Sequence, residues 1–275
     1  MRVDAWTEEE FEILKNYWGK IKIEKICQLL PRRTRSTIYK NAWKLQLKGN
    51  SSLAHRIYSL NENFFEIPNI LNSFYAGWIA ADGCICKHSE NKISIQICIQ
   101  HKDIDLISDF QKNIDWGGNL YLGDNNRGIG KNAQKVIRMS VCSKKLSEDL
   151  QKNFNITSRK TFTLGAPNLT NKDLILAYIA GYIIGDGGFS LRKLNGKLTP
   201  QLYVCGNYDF LVWLKQQLDI YFPSNQLSSL TKNHSIYQWS TTGKRATEIL
   251  RYLYQLPTPK LQRKWTSELI SYILT

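Results

Sequence analysis

Two aspartates occupy nearly the same surroundings at two places in the chain. Asp82 ends the apolar stretch YAGWIAAD, and Asp186 ends the stretch IAGYIIGD 104 positions later. Two carboxylates that are brought together repel each other, so such a pair favours a bound divalent cation. Hard oxygen ligands of this kind suit Mg²⁺. The pattern therefore predicts metal-ion chemistry at a site that both stretches share.

Small residues recur before each aspartate and predict how the two sites come together. They are Ala76, Gly77, Ala80 and Ala81 in the first stretch, and Ala180, Gly181 and Gly185 in the second. Small side chains let two helices pack backbone to backbone, which would bring both C-terminal ends together. We expect Gly83 and Gly187 to let the chain turn after each helix.

The same order of elements is predicted after each aspartate. In the first copy, KISIQICIQ alternates Ile93, Ile95, Ile97 and Ile99 and predicts a half-buried strand. A helix, two strands and a second helix follow, and the second copy repeats this order, with a turn at Asn195-Gly196. The prediction is an α+β fold of two pseudo-symmetric αββαββα halves, at residues 71–167 and 168–275.

The two stretches, from Tyr75 to Gly83 and from Ile179 to Gly187, resemble the paired motifs of a LAGLIDADG homing endonuclease. The resemblance covers about residues 71–270 and rests on two copies of the motif at domain-like spacing. It implies a saddle of eight strands on double-stranded DNA and a monomer that cuts both strands at a long target site. It also implies two or three Mg²⁺ ions shared between Asp82, Asp186 and the scissile phosphates, with Ala81 and Gly185 beside them.

The resemblance also implies assisting residues near the aspartates. For a basic residue at the strand-helix junction, the matching places hold Lys144 or Lys145 in the first half and Lys244 or Arg245 in the second. We expect Lys144 and Lys244 to take this role, although lysines that only touch phosphate would fit the places equally well. The family has a second polar position at the end of the second strand of each half. It maps onto Gln100 in the first half but onto Gly206 in the second, where there is no side chain, so we expect the two halves to cut at unequal rates.

Strand alternation predicts which residues read DNA. With the isoleucines inward, the first half would turn Ser94, Gln96, Cys98, Gln100, Arg138 and Ser140 outward, and the second half Ser190, Arg192, Thr199, Gln201 and Tyr203. A solvated sheet face is the alternative interpretation of each. The dipeptides Arg159-Lys160 and Arg263-Lys264 near the end of each half predict phosphate contacts.

Residues 1–47 predict a separate three-helix unit. Thr7 would cap the first helix, and Thr34 or Ser36 the third. We expect a core of Trp6, Phe11, Leu14, Ile26, Leu29, Leu30, Ile38 and Trp43. The unit resembles a Myb/SANT-type helix-turn-helix, which implies DNA contacts from Arg32, Arg33, Arg35, Tyr39, Lys40 and Lys44. A module that binds protein tails is the alternative, and residues 48–70 are predicted to be a linker.

Composition agrees with a polyanionic partner. The 275 residues include 37 Lys and Arg against 23 Asp and Glu, which gives a net charge of +14. No stretch is long and apolar enough for a membrane span, and we expect an intracellular, cytoplasmic protein. The six cysteines show no zinc-ligand spacing and are predicted to be reduced, buried small residues.

Two other functions remain open from the sequence. A DNA-binding regulator on the same scaffold would bind without cutting, although it would not need both aspartates. An intron RNA maturase would fit the basic charge, although a helix-turn-helix favours duplex DNA over the narrow major groove of RNA.

Overall fold

The structure is a computed structural model that describes residues 5–47, 58–90, 92–124, 135–194, 196–225, 228–233 and 235–275, without the side chains of Thr161 and Asn233. The chain divides into two compact units, Met1–Ser59 and Leu60–Thr275. In the described residues, no helix is both long enough and apolar enough to cross a membrane.

The described part of the N-terminal unit contains three helices: α1 (Glu8–Tyr17), α2 (Ile23–Leu29) and α3 (Arg35–Lys44). Thr7 accepts a hydrogen bond from the Glu10 backbone and receives a reciprocal bond from the Glu10 side chain to its own backbone nitrogen, which is a capping box. Thr34, and not Ser36, caps α3. The caps that the sequence predicts therefore begin α1 and α3.

The core of this unit is smaller than the sequence predicts. Its buried residues are Leu14, Ile26, Leu30, Ile38 and Ala42. Trp43 is 80% exposed and Leu29 is 44% exposed, so their predicted burial is wrong. Ala42 lies one helical turn after Ile38 and takes the inward place, and Trp43 is turned away by the next 100° step of the helix.

The first half of the large unit follows the predicted order. Its elements are α4 (Ile70–Asp82), β1 (Gly83–Ser89), β2 (Lys92–Gln100), a short 3₁₀ turn (His101–Asp103), α5 (Ile104–Asn113), β3 (Tyr121–Asp124), β4 (Lys135–Cys142) and α6 (Lys144–Phe154). The one-turn helix α7 (Lys160–Thr163) leads to the second half.

The second half repeats that order. Its elements are α8 (Lys172–Asp186), β5 (Gly187–Leu194), β6 (Lys197–Gly206), α9 (Tyr208–Tyr221), β7 (Thr231–Asn233), β8 (Ile236–Thr242), α10 (Gly243–Gln255) and a final helix α11 (Ser267–Leu274). Gly196 has a φ of 78° in the turn between β5 and β6. Asn195, the other predicted turn residue, lies outside the described residues.

Each half contains one antiparallel sheet of the same topology. The strand orders are β1-β2-β4-β3 and β5-β6-β8-β7. Gly83 pairs with Ile97 in the first sheet, and Gly187 pairs with Val204 in the second. The two-fold repeat predicted from the sequence is therefore confirmed at the level of strand pairing.

Helices α4 and α8 form the centre of the large unit. Nearly every residue from Asn72 to Ala80 and from Ile175 to Ile184 is buried. A Cβ on Gly77 would overlap the carbonyl oxygen of Tyr178, and a Cβ on Gly181 would overlap that of Phe74. The two backbones touch at these glycines, as the small residues predict, and the helix ends lie together.

Residues 60–70 belong to the first half and not to a linker. Phe65 is fully buried in the main core, and Asn61 donates from its backbone to Ile114 O at 2.8 Å. The Asn72 amide donates to Phe64 O and Ile67 O, each at 2.8 Å. The predicted linker is therefore wrong for this part, while residues 48–57 lie outside the described residues.

Candidate active site

Asp82 and Asp186 are the last residues of the paired helices α4 and α8. A Cβ on Gly185 would stand 3.0 Å from Asp82 Oδ2, so the Asp82 carboxylate lies against the last turn of α8. Trp78, one turn before Asp82, donates from Nε1 to the same Oδ2 at 3.1 Å. The two carboxylates thus meet at one end of the helix pair.

The glycines after the aspartates provide space and not an unusual turn. Gly83 has a φ of −85° and Gly187 a φ of −122°, values that any residue can adopt. A Cβ on Gly83 would stand 2.7 Å from Ile79 O, and one on Gly187 would stand 2.9 Å from Ile183 O. Each glycine is required because the first strand residue passes close to the preceding helical turn.

Two lysines, the buried Lys160 and the partly buried Lys264, cap the helices that carry the aspartates. Lys160 Nζ donates to Ala80 O at 2.5 Å and to Ala81 O at 2.9 Å. Lys264 Nζ donates to the second helix in the same way, to Ile183 O at 3.0 Å, Ile184 O at 2.6 Å and Gly187 O at 2.7 Å. Both ammonium groups therefore satisfy carbonyls at the negative end of a helix.

The two aspartates and the two lysines of this site have shifted pKa values. Burial, and then the charge of Asp186, raises the pKa of Asp82 to about 6. Burial also raises the pKa of Asp186, against the nearby charge of Lys160. Burial, followed by the charge of Arg263, lowers the pKa of Lys264 to about 8, and burial lowers the pKa of Lys160. The site contains two carboxylates that resist ionisation and two lysines that resist protonation.

Lys144 and Lys244, which the sequence predicts in the assisting role, are not brought to the aspartates. Ser143 pairs with Ile93 at the Lys87 end of β1. That end is four strand residues, or about 13 Å, from Gly83. Lys144 instead lies 3.8 Å from Glu148, one turn along α6.

The second half shows the same displacement. Thr242 pairs with Gln201, which pairs with Ser190, so the start of α10 is about three strand residues, or roughly 10 Å, from Gly187. The Lys244 side chain is 92% exposed and lies 3.9 Å from Glu248. Lys145 pairs with Asp149 at 3.0 Å, and Arg245 pairs with Asp219 at 2.6 Å.

The polar position at the end of the second strand is matched differently from the prediction. Gln100 lies three residues past Ile97, the partner of Gly83, and Asn207 lies three residues past Val204, the partner of Gly187. Gly206 lies two residues past Val204, as Ile99 lies two residues past Ile97, so both positions face inward. A Cβ on Gly206 would stand 2.8 Å from Tyr182 Oη. The structural counterpart of Gln100 is therefore Asn207, which caps α9.

The aspartate pair fits a divalent cation. In the described part of the chain, no group of three or more His, Cys, Asp and Glu side chains is placed to hold a metal. Two carboxylates would therefore supply part of the coordination shell, and water or phosphate oxygens the remainder, which is how Mg²⁺ is commonly held. The Ala81 carbonyl already accepts from Lys160, but a carbonyl oxygen has a second lone pair. Gly185 brings the helix backbone against Asp82.

Solved structures with a similar fold are homing endonucleases. I-SmaMI, a LAGLIDADG homing endonuclease bound to cleaved DNA, matches 76% of this chain and 89% of its own at 13% identity and a TM-score of 0.47. I-WcaI, bound to its DNA recognition sequence, matches 83% of this chain and 92% of its own at 16% identity and a TM-score of 0.53. No protein-family model matches the sequence, and no curated protein matches it at significant similarity.

The chain has the fold of the homing endonuclease I-WcaI. The α+β prediction of two pseudo-symmetric halves is therefore confirmed.

In this fold the outer faces of both sheets carry the residues that alternation predicts. In β2, Ile95, Ile97 and Ile99 are buried, and Gln96, Cys98 and Gln100 are exposed. Of the other predicted outward residues, Arg138, Ser140, Ser190 and Arg192 are exposed, and Thr199, Gln201 and Tyr203 are partly exposed.

Ser94 departs from the predicted outward set. It is only 3% exposed although it lies on the outward face. His88 Nε2 lies 3.0 Å from Ser94 Oγ, and Gln96 Nε2 donates to it at 3.3 Å. Its neighbours therefore cover it.

The cysteines are free, as predicted, but several are not buried. Cys84, Cys98 and Cys142 are exposed, and Cys86 is partly exposed. All four lie on the outward face of the first sheet, because they alternate with its buried residues. The predicted burial is therefore wrong for Cys84, Cys86 and Cys142, while Cys98 lies outward as the strand alternation predicts.

The N-terminal unit presents most of the predicted contact residues on its surface. Arg32, Arg35, Tyr39, Lys40 and Lys44 are exposed. Arg33 is not: it is 9% exposed and donates to Glu10 at 2.8 and 2.6 Å and to Ala5 O at 2.8 Å. Its role is to join the start of α3 to α1, because a buried guanidinium requires such partners.

Proposed function

We propose that the chain is a site-specific endonuclease that hydrolyses both strands of double-stranded DNA. The observation that supports this most is the meeting of Asp82 and Asp186 at the ends of two backbone-packed helices, each capped by a lysine. Burial raises the pKa of both carboxyls, and the charge of Asp186 raises that of Asp82 further, which is a costly arrangement for stability alone. A function that binds a cation there accounts for the cost.

Asp82 and Asp186 would hold divalent cations, two or three Mg²⁺ ions together with phosphate oxygens, beside the backbone of Ala81 and Gly185. Such an ion lowers the pKa of bound water and neutralises charge on the phosphate. Lys160 and Lys264 would add positive charge where the phosphate carries negative charge.

The outward faces of the sheets would contact the major groove. Arg138 and Arg192 suit guanine, and Gln96 and Gln201 suit adenine, because each can make two hydrogen bonds to one base edge. Gln96 pairs across strands with Ser140, and Gln201 with Ser190, so the polar side chains are contiguous within each sheet. A monomer with two such sheets would read a long site.

The N-terminal unit would add a Myb/SANT-like contact. Arg35, Tyr39 and Trp43 follow one another at intervals of one turn on the exposed side of α3. Lys40 and Lys44 directly follow Tyr39 and Trp43 in the sequence and are also exposed. This basic and aromatic surface suits a duplex groove and its phosphates.

Cleavage of a randomised duplex library in Mg²⁺ tests the proposal. We expect double-strand cuts at a defined sequence, and loss of those cuts in Asp82→Asn and Asp186→Asn with binding retained. Sequence-specific binding without cuts in the unaltered protein would instead favour a transcription regulator. Preference for structured intron RNA over duplex DNA would favour a maturase.

A further inference from the structure

An aromatic hydrogen-bond donor lies one helical turn before each motif aspartate. Trp78 is fully buried in α4, and its indole Nε1 donates to Asp82 Oδ2 at 3.1 Å. Tyr182 occupies the equivalent place in α8, four residues before Asp186, and its hydroxyl lowers the pKa of that carboxyl against the effect of burial. The same Tyr182 hydroxyl donates to Cys205 O at 3.2 Å. Two different residue types thus place a hydrogen-bonding group one turn before the aspartate in both halves.

The Trp78 bond distinguishes the two oxygens of Asp82. Oδ2 faces Gly185 of the other helix and accepts from the indole. Within the described part of the chain, Oδ1 accepts no such hydrogen bond. One oxygen is therefore fixed in the helix interface, and the other is left for a ligand outside the protein. An indole N–H can only donate, so it cannot exchange its role with the carboxylate.

We propose that Trp78 and Tyr182 are positioning residues that orient the motif carboxylates for cation binding. This inference rests on the proposed function, because it concerns the same metal site. Groups that orient a metal ligand through a hydrogen bond commonly change metal affinity or activity 10- to 100-fold when removed. Trp78 makes one committed bond, whereas Tyr182 has one proton for two acceptors, so the first half is held more firmly.

A general need to pair every buried hydrogen-bond donor does not explain why Trp78 and Tyr182 lie one turn before the aspartates. The hydroxyl of Tyr178, one turn before Tyr182 on the same helix, is buried and has no hydrogen-bond partner among the described residues. The helix pair therefore tolerates an unpaired hydroxyl. Tyr178→Phe is consequently a matched control for Tyr182→Phe, since each removes one oxygen atom from the same helix.

The test is a Mn²⁺ titration of the full chain without DNA, in which electron paramagnetic resonance measures free Mn²⁺. The double variant Asp82→Asn with Asp186→Asn defines binding elsewhere. We expect Trp78→Phe to raise the Mn²⁺ dissociation constant about 10-fold or more, and Tyr182→Phe to raise it by a smaller factor. The Mn²⁺ dissociation constant of Tyr178→Phe should stay within about two-fold of that of the unaltered protein, because the Tyr178 hydroxyl makes no hydrogen bond to either aspartate.

Two further measurements separate orientation from packing. Trp78→Tyr returns a hydroxyl donor to the position, so it should recover Mn²⁺ binding relative to Trp78→Phe. The affinity for a DNA duplex in Ca²⁺ should change little in any of these variants. The proposal is overturned if Trp78→Phe and Tyr182→Phe bind Mn²⁺ as Tyr178→Phe does, or if they lose duplex affinity and thermal stability while Mn²⁺ binding is kept.

The titration also separates this proposal from the nuclease itself. If the unaltered protein binds Mn²⁺ at the aspartates but cuts no duplex, the proposed endonuclease fails and the positioning role stands. If the unaltered protein binds no more Mn²⁺ than the double aspartate variant, the positioning role is overturned whatever the cleavage assay shows.

Discussion

At the scale of single residues, Asp82 is costly to the metal-free protein. Its pKa is raised from 3.8 to about 6, so between these values the folded state binds more protons than the unfolded state. The contribution of Asp82 to stability is therefore most favourable below about pH 4 and is lost as the pH rises through about 6. We expect Asp82→Asn to increase the free energy of unfolding by about 1–3 kcal/mol above pH 7 without metal, measured by urea denaturation.

The same variant has an internal check. The gain in unfolding free energy of Asp82→Asn should disappear below about pH 4, where Asp82 is protonated in both the folded and the unfolded state. Asp124→Asn, at the exposed end of β3, is the control and should show no pH-dependent difference. An Asp82→Asn protein that is no more stable than the unaltered protein at neutral pH would contradict the cost of burying the Asp82 charge beside Asp186.

The lysines give a second prediction at this scale. Lys160→Met and Lys264→Met should lower the rate of DNA cleavage by about 10²–10³, because each removes a fixed positive charge beside the aspartates. Lys144→Met and Lys244→Met should change the rate only a few-fold, since these side chains lie at the far ends of their strands. Single-turnover rates on a cleavable duplex measure both pairs, and the reverse ranking would restore the roles predicted from the sequence.

At the scale of elements, the α4–α8 contact should tolerate no side chain at its glycines. A Cβ on Gly77 or Gly181 would meet a backbone carbonyl of the other helix, which cannot rotate away. We expect Gly77→Ala and Gly181→Ala each to cost at least about 3 kcal/mol of unfolding free energy. Gly123→Ala in β3 meets nothing within 4 Å and is the control. Wild-type melting temperatures for both helix variants would show that the helices can separate.

The elements also show what sequence alone can predict. The motif helices and the alternating strands follow from local patterns, because small residues and isoleucines mark the buried sides. The capping role of Lys160 and Lys264 is harder to predict from the sequence. Both lysines lie in segments without periodicity and reach the site only through tertiary packing. One signal was present: Lys160 and Lys264 are separated by 104 positions, the same offset as Asp82 and Asp186, whereas Lys144 and Lys244 are separated by 100.

Exposed positions were predicted less well than buried ones for a related reason. A strand pattern gives the face of a residue but not what covers it, so the burial of Ser94 by His88 and Gln96 is invisible in the sequence. In α3, a tryptophan beside the inward position is naturally assigned to the core, yet Trp43 is exposed. Both errors concern the neighbours of a residue and not its secondary structure.

At the scale of the whole molecule, an ion pair links the two halves. Arg263 donates to Asp103 at 2.6 and 2.8 Å, and it precedes Lys264 in the chain. Asp103 lies in the first half, as the last residue of the 3₁₀ turn (His101–Asp103) that follows Gln100. The segment that carries the second lysine is thus anchored on the half that carries Asp82, which ties the geometry of one half to the other.

The two units allow the last prediction, that the catalytic centre and part of the DNA affinity are separable. The division falls at Ser59 and Leu60, and residues 60–70 pack into the large unit, so a deletion must stop at residue 59. We expect residues 60–275 to cut the same sequence with a shorter footprint. Affinity should depend less steeply on salt, because the lysines and arginines of the N-terminal unit no longer displace counterions from the duplex. Deletion of residues 1–70 is the matched comparison and should unfold the large unit, since it removes buried Phe65. An unchanged footprint and salt slope for residues 60–275 would remove the N-terminal unit from DNA recognition and leave target reading to the two sheets.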